Sequence, residues 1–518
     1  MAQRGAMRWL GLAALLALRC DCSTFGLGAA GEESGDGPSS TVATVAMTPG
    51  GGPSSTLDSG SSTDAATASG GTTSTGASTL DGSTQVEPAS GSEASGAAST
   101  GEPAECVVRA DCEDPATPFC VADECVGCDQ TDAPSTACAG LSEDTPVCAG
   151  GACVECSADD HVLCQGNTPV CGADNSCTAC TVHSDCPDTA CDLQSGACFG
   201  PEYVLHVDRT ATCDGDGSMA TPFCKIAIAF QKMIGSGNVA AGWTVKIRAG
   251  NYIEEPLVVP DAALVALRGW DGVPKIRALG DTDVTLAVAN GATVYIDRLA
   301  FTSNDSDNGV ECTKATVWLD ESSIIGNTDQ GYQSTDCDTT IRRSVIYDND
   351  GGGLASYGPG RTSLINSYVS SNGTQNFGDD VGVRSAQGNE MHLLYTTVVN
   401  NLGVGGPRSL HCTADAGPAE VRNSVLIAFG GTPSIDCPMG VFRNSAIDEE
   451  VLDGMDNLLV TFLDITNLFN PPVGGVYTAR ADTPLAALGK WTDGDPLIDY
   501  DGTPRVTDAP DYAGADRP

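Results

Sequence analysis

The sequence predicts an all-β fold: a parallel β-helix solenoid over the C-terminal three-fifths of the chain, preceded by a small disulfide-rich repeat region and a disordered linker. Three observations predict it. Beyond residue 200, short apolar alternations rich in Val, Ile and Thr are separated by Gly, Asp and Asn clusters, the chemistry of strands and turns. Within that stretch, segments such as Trp318-Leu319-Asp320, Ile341-Arg342-Arg343, Leu364-Ile365-Asn366 and Val421-Arg422-Asn423 recur every 21 to 29 residues, and each starts one coil. Taking Ser322, Ser344, Ser367, Thr396, Ser424 and Ser445 as equivalent gives intervals of 22, 23, 29, 28 and 21 residues, so the longer coils have room for outward loops. The third observation is that Cys312 and Cys337 are 25 residues apart, as are Cys412 and Cys437. Stacked strands lie about 4.8 Å apart, within reach of a disulfide, so both pairs are expected to bridge adjacent coils. Cys213 and Cys224, 11 residues apart, are expected to close a local loop.

In chain order, Arg4 and Arg8 precede an apolar run from Trp9 to Leu18, which reads as an export signal over residues 1–20. Cys20, directly after that run, resembles a bacterial lipoprotein site and is the candidate lipidation residue. Arg19 stands where a small residue normally precedes such a cysteine, so ordinary cleavage is the alternative. No later segment has the roughly 20 continuous apolar residues of a membrane helix. Residues 21–104 are Ser, Thr, Gly and Ala with nine acids after Cys22 and no Lys or Arg. Such a stretch buries too little apolar surface to offset its ordering entropy, so a disordered stalk or linker is expected.

Residues 105–199 hold 16 cysteines in four units of four, beginning at Cys106, Cys128, Cys156 and Cys180. Units this small and this poor in large apolar side chains need crosslinks in place of a core. An even cysteine count behind an export signal favours disulfides, two per unit, over zinc thiolates at the Cys-x-x-Cys pairs. Four cysteines allow three connectivities, all left open by spacing. Only Arg109 offsets 17 acids in this region, so a solubilising spacer is the plain reading and a calcium site the sharper one.

Residues 200–518 form the expected β-helix domain. Tyr203 to Val207, Asp214 to Ser218 and Thr221 to Phe223 lead into a short amphipathic helix through Met233 that should cap the open end. Trp243 to Ile247 then runs toward Gly250 and Tyr252. The chain closes with Asp499-Tyr500-Asp501-Gly502-Thr503-Pro504-Arg505 and Asp511-Tyr512-Ala513-Gly514-Ala515. These opening and closing motifs resemble the right-handed parallel β-helix (pectin-lyase-like) superfamily of bacterial secreted and surface proteins, which includes pectate lyases and polygalacturonases. The resemblance covers residues 201 to 515.

On such a solenoid, acids from neighbouring coils can grip calcium or act on a sugar chain. The candidates are Asp305 and Asp307, Asp348 and Asp350 for a ligand or calcium, and Asp379 and Asp380 with Arg384 for catalysis; Arg361 is a second candidate base. Glycan hydrolysis needs two carboxylates, but the Gly-His-Gly and Arg-x-Lys of polygalacturonases are missing, and His392 and His411 lack those neighbours. Asn366, Asn423 and Asn444 are expected to stack as an amide ladder. Trp318, Tyr347, Tyr357, Tyr368 and Tyr395 either fill the core or form a sugar-stacking face.

The formal charge of -43 opposes nucleic acid and anionic lipid as partners. The expected function is a non-catalytic, exported protein at the cell surface, tethered to an outer membrane if Cys20 is lipidated, that binds an extracellular polysaccharide or a cell-surface protein. The alternative is a polysaccharide lyase or glycoside hydrolase acting on an acidic polysaccharide. No cofactor is assigned from the sequence, and calcium is the one candidate.

Overall fold

The computed structural model describes residues 106–160, 162–280, 284–302, 307–373, 381–402, 408–428, 434–449, 454–460 and 465–518. The export signal, Cys20, the linker, Asp305, Asp379 and Asp380 lie outside them. No helix among the described residues is long and apolar enough to cross a membrane.

Each cysteine unit ends in a short antiparallel hairpin, such as Phe119–Val121 with Glu124–Val126, that sets its third and fourth cysteines side by side, as in Cys120 opposite Cys125. Both then reach back into the preceding loop, so the first cysteine bridges the third and the second bridges the fourth in all four units. The hairpin turns Ala122-Asp123 and Gly150-Gly151 have positive φ at both central residues, the geometry that matches strand twist.

The cap is the helix Ile226–Ser236, which buries Ile226, Ala229, Phe230 and Met233 and stops at Gly237 with φ 72°. Its N-terminus has no local cap. The Glu254 carboxylate, two strands away, accepts from the amides of Ile226 at 2.7 Å and Ala227 at 3.1 Å, satisfying orphan donors at the positive end of the dipole. Cys213 and Cys224 are bridged just before this helix.

From Trp243 the chain passes through three sheets in rotation. The first has eleven strands from Val204–Val207 to Gly454–Met455, the second ten from Asn251–Glu254 to Leu458–Leu459, and the third eight from Leu257–Val258 to Ile435–Asp436. Each strand pairs in parallel with its counterpart in the next coil, and with the right-handed crossover that parallel strands adopt, this is a right-handed parallel β-helix. Leu267, Ile296, Leu319, Ile341 and Leu364 stack in one inward column of the first sheet, fully or almost fully buried.

Cys412 and Cys437 are bridged between neighbouring coils, directly above one another by extension of the His411 to Asp436 register. Cys312 and Cys337 are also bridged, but Cys312 is in register with Ser334, so the partner sits three residues further on, past the strand end. The 25-residue gap there is one coil plus a corner.

Asn366, Asn423 and Asn444 do not form the expected ladder. With Arg298, Glu321, Arg343 and Tyr395 they occupy the corner after each first-sheet strand, all with φ between 44° and 55°. Asparagine is favoured there because it tolerates the left-handed region. Asn366 and Asn423 spend their amides on the C-terminal segment, donating to the carbonyls of Ile498 and Lys490. The ladder is built instead by Asn327, Asn349, Asn372 and Asn401, where each Oδ1 from Asn349 onward accepts from both the backbone and side-chain amides of the asparagine one coil earlier, at 2.8 to 3.2 Å. A parallel run of hydroxyls does similar work: Ser322 donates its amide to Ser344 Oγ, and Thr396 and Ser424 donate theirs to the next coil.

After the last coil, residues 465–518 fold back over the outside of the second sheet. Leu468, Phe469, Tyr477, Leu485 and Ala513 cover Val345, Tyr368, Val399, Val425 and Ile427.

Candidate functional site

Tyr295, Trp318, Thr340, Ser363, His392 and Glu420 follow one another in register along the outer face of the first sheet. Two residues further along each strand, Arg268, Asp297, Asp320, Arg342, Ile365, Leu394 and Arg422 form a second row. Alternation along a strand places both rows outward, and stacking brings each coil's pair about 4.8 Å from the next.

One end of this face is covered by the fourth cysteine unit. Phe199 and the edge of His183 pack on Tyr295, with centroids 6.1 and 5.6 Å away. Arg268 bonds the carbonyls of Thr189 and Cys186 while its Nε holds Asp297 at 3.0 Å. Tyr295 bonds Asp192. The expected spacer is therefore docked on the β-helix through its last unit. On one flank, the C-terminal segment brings Thr492 and Asp495 onto Arg422.

Between them lies a trough with mixed cationic and aromatic lining. The Arg342 guanidinium sits 5.6 Å from the Trp318 ring and 2.8 Å from Asp320. A cavity of about 170 Å³ is lined by Arg361, Ser363, Ile365, His392, Leu394 and Glu420. Arg361 is exposed, and no carboxylate among the described residues pairs with its guanidinium. His392 Nδ1 is 3.6 Å from Glu420. Burial first, and then the Arg361 charge, hold the His392 imidazole below its ordinary value, against the pull of Glu420 and Glu390.

Of the sequence-predicted residues that the structure describes, Arg361 and Trp318 lie on this face and the others fall elsewhere. Asp307, Asp348 and Asp350 lie in turns between the second and third sheets. Asp348 is a left-handed corner residue with φ 59°. After burial, the charge of Asp307 helps raise Glu311 and Asp329. Among the described residues, none of these acids belongs to a set of three ligand groups within 4.8 Å. Arg384 is on the outer face of the third sheet, 5.6 Å from the Tyr357 ring and in register with His411. The two candidate bases, Arg361 and Arg384, thus occupy different faces. Tyr368 and Tyr395 are fully buried, beneath the C-terminal segment rather than inside the solenoid: Tyr368 meets the edge of Tyr500 at 5.0 Å, and Arg505 lies 3.7 Å over Tyr395.

Residues 92–204 match a family model described as a family of unknown function, DUF8331. No curated protein matches the chain. Among solved structures, a pectate lyase, Pel9A, aligns at 13% identity and a TM-score of 0.40 over 61% of this chain and 96% of that one. A rhamnogalacturonan lyase aligns at 12% identity and a TM-score of 0.27 over 47% and 72%. The fold rests on the chain's own registers: three parallel sheets, one strand from each per coil, make it a parallel β-helix.

Proposed function

We propose that this is an exported, surface-displayed protein whose β-helix binds an anionic polysaccharide in the trough on the first sheet. The observation that carries the reading is that one face of a chain with only 25 Lys and Arg against 68 acids holds Trp318 with Arg342 over it and, two to four coils further on, Arg361, His392 and Arg422; Arg342 and Arg422 are paired with Asp320 and Asp495, and Arg361 has no carboxylate partner among the described residues. A strongly acidic molecule repels a polyanion everywhere that its own cations do not dominate locally. Guanidinium groups pair with carboxylates through two parallel hydrogen bonds, and an indole stacks on the apolar face of a sugar. A rise of about 4.8 Å per coil presents these groups at a spacing comparable with one sugar ring. Eleven disulfides support an oxidising, extracytoplasmic setting.

The test is binding of the full chain to a polyuronate and to a neutral polymer of similar length. Polyuronate binding should weaken with salt, and Arg361→Ala or Trp318→Ala should each weaken it by about tenfold, the effect of losing roughly 1.4 kcal/mol. Equal affinity for the neutral polymer, or variants that bind like the parent, would exclude the trough.

One observation favours a second reading, cleavage by β-elimination. A neutral imidazole beside a guanidinium with no carboxylate partner among the described residues would supply a proton acceptor and a neutraliser for the adjacent carboxylate of a uronate. In that case unsaturated products accumulate and His392→Ala stops them while binding persists.

A further inference from the structure

Three side chains on the floor of the trough have chemistry that binding alone does not use. Ser363, His392 and Glu420 stand in register on three successive coils, with His392 in the middle. Their strands stack about 4.8 Å apart, and all three side chains line the same cavity of about 170 Å³. His392 Nδ1 is turned toward Glu420, 3.6 Å from Oε2. The two nitrogens of an imidazole point to nearly opposite sides of the ring, so Nε2 is left toward the Ser363 coil. A proton kept on Nδ1 by the carboxylate makes Nε2 the acceptor. Burial and the Arg361 charge keep the ring neutral at neutral pH, ready to take a proton.

Ser363 differs from the serines of the buried hydroxyl series. Ser344, Ser367 and Ser424 each donate their hydroxyl to a carbonyl two residues back. Ser363 is half-buried at an outward position of its strand, and its Oγ bonds to nothing among the described residues. His392 Nε2 is likewise uncommitted among them. The two are free to meet, and such pairs are commonly loose in an empty site and tighten when substrate arrives. Two residues before Ser363, Arg361 lines the same cavity with a guanidinium that has no carboxylate partner among the described residues. Ile365 and Leu394 make the apolar part of the lining.

We propose that Ser363, His392 and Glu420 act as nucleophile, base and orienting carboxylate in hydrolysing short acyl esters carried by the polysaccharide. The substrate rests on the trough reading above; the three-residue relay does not. Ser363 Oγ bonds to the ester carbonyl carbon while its proton passes to His392 Nε2, and the carbonyl electron pair moves onto an oxygen that Arg361 stabilises. Collapse breaks the bond to the sugar oxygen, which leaves with the proton from Nε2. Water then attacks the acyl-serine by the same route, releasing the carboxylic acid and restoring the hydroxyl. Glu420 is a positioning residue that holds the ring and steadies its charged form. The small cavity and its short apolar side select an acetyl-sized group over a long chain.

The experiment treats the full chain with a fluorophosphonate, which labels activated serines, and with two esters: p-nitrophenyl acetate and an O-acetylated polyuronate. Mass spectrometry should place the label on Ser363, and both esters should release acetate. Ser363→Ala, at an outward position, should fold, lose the label and release acetate on the order of 10³-fold more slowly, while binding deacetylated polyuronate as the parent does. Glu420→Gln should lower kcat at least about tenfold at unchanged KM. A Ser363 that takes no label, or a Ser363→Ala variant that hydrolyses either ester like the parent, overturns the proposal; polyuronate binding that persists in that case leaves the trough reading standing. Ser363-dependent hydrolysis of the small ester without polyuronate binding upholds the relay and overturns the polymer as its substrate. Unsaturated products that Ser363→Ala still forms assign His392 to elimination and overturn the relay.

Discussion

His183, in the fourth cysteine unit, is 4% exposed and accepts the Cys191 amide on Nδ1 at 3.2 Å, so it is neutral with its proton on the other nitrogen. Burial first, and then the charge of Arg268, push its imidazole down from 6.5 to about 3, with Asp320 opposing and Arg342 and Arg298 reinforcing. In the unfolded chain this histidine takes a proton near pH 6.5, which the folded state refuses until about pH 3. Its contribution is therefore complete above pH 6.5 and lost as pH falls toward 3. The loss is on the order of 2 kcal/mol near pH 5. His183→Gln keeps an acceptor for Cys191 without a titrating group. Its melting temperature should fall less than the parent's between pH 6.5 and 4.5, and parallel curves would remove His183 from the acid response. Nothing local to His183 in the sequence announces this, because its partners Tyr295 and Arg268 are more than 80 residues away. Trp318 and Arg361 were legible as residue types, but not as members of one face. That required the coil register, which joins Ser363 to His392 across a 29-residue coil.

At the scale of elements, the hydroxyl series from Ser322 to Ser445 was readable because its intervals repeat the coil length, and those residues do occupy equivalent buried positions. The asparagine ladder carries the same signal: Asn327, Asn349, Asn372 and Asn401 each follow a series member by five residues. Asn366, Asn423 and Asn444 adjoin the series, but adjacency to a strand end marks a left-handed corner, not a ladder. Glycines at 309, 331, 353 and 382 stack beside the true ladder, where a Cβ would come within 2.4 to 2.6 Å of a neighbouring atom. Asn349 is the most heavily used rung, donating to Ile324 O and Asn372 Oδ1 and accepting two bonds from Asn327. Asn349→Ala removes the acceptor of two buried donors and opens a small void, at about 3 to 5 kcal/mol. Denaturant unfolding would read this directly, and a change under about 1 kcal/mol, the size of a surface substitution, would mean that the coils stack without the ladder.

For the whole molecule, the division into cysteine-rich repeats and solenoid could be read from composition, since cysteine density and strand chemistry change abruptly near residue 200. How the two adjoin could not, because docking depends on which outward residues of the first sheet meet Phe199 and Leu193. The C-terminal segment raises the same difficulty. Its closing motif was recognisable, but its apolar residues are short runs with no period, and they acquire meaning only against the second sheet. That sheet's outer face carries Val345, Tyr368, Val399, Val425 and Ile427, a continuous apolar surface once the segment is lifted. Monomeric proteins rarely leave more than a few hundred Å² of such surface in water. Deleting residues 465–518 leaves every coil's backbone ladder intact, so strand content by circular dichroism should persist. The bared face should bind a hydrophobic dye and drive self-association, and the Arg422 side of the trough would lose Thr492 and Asp495. A truncated chain that stayed monomeric and dye-negative would mean that the segment is an accessory to the site and not a wall of the fold. Loss of strand content would mean that the coils need the segment to form at all.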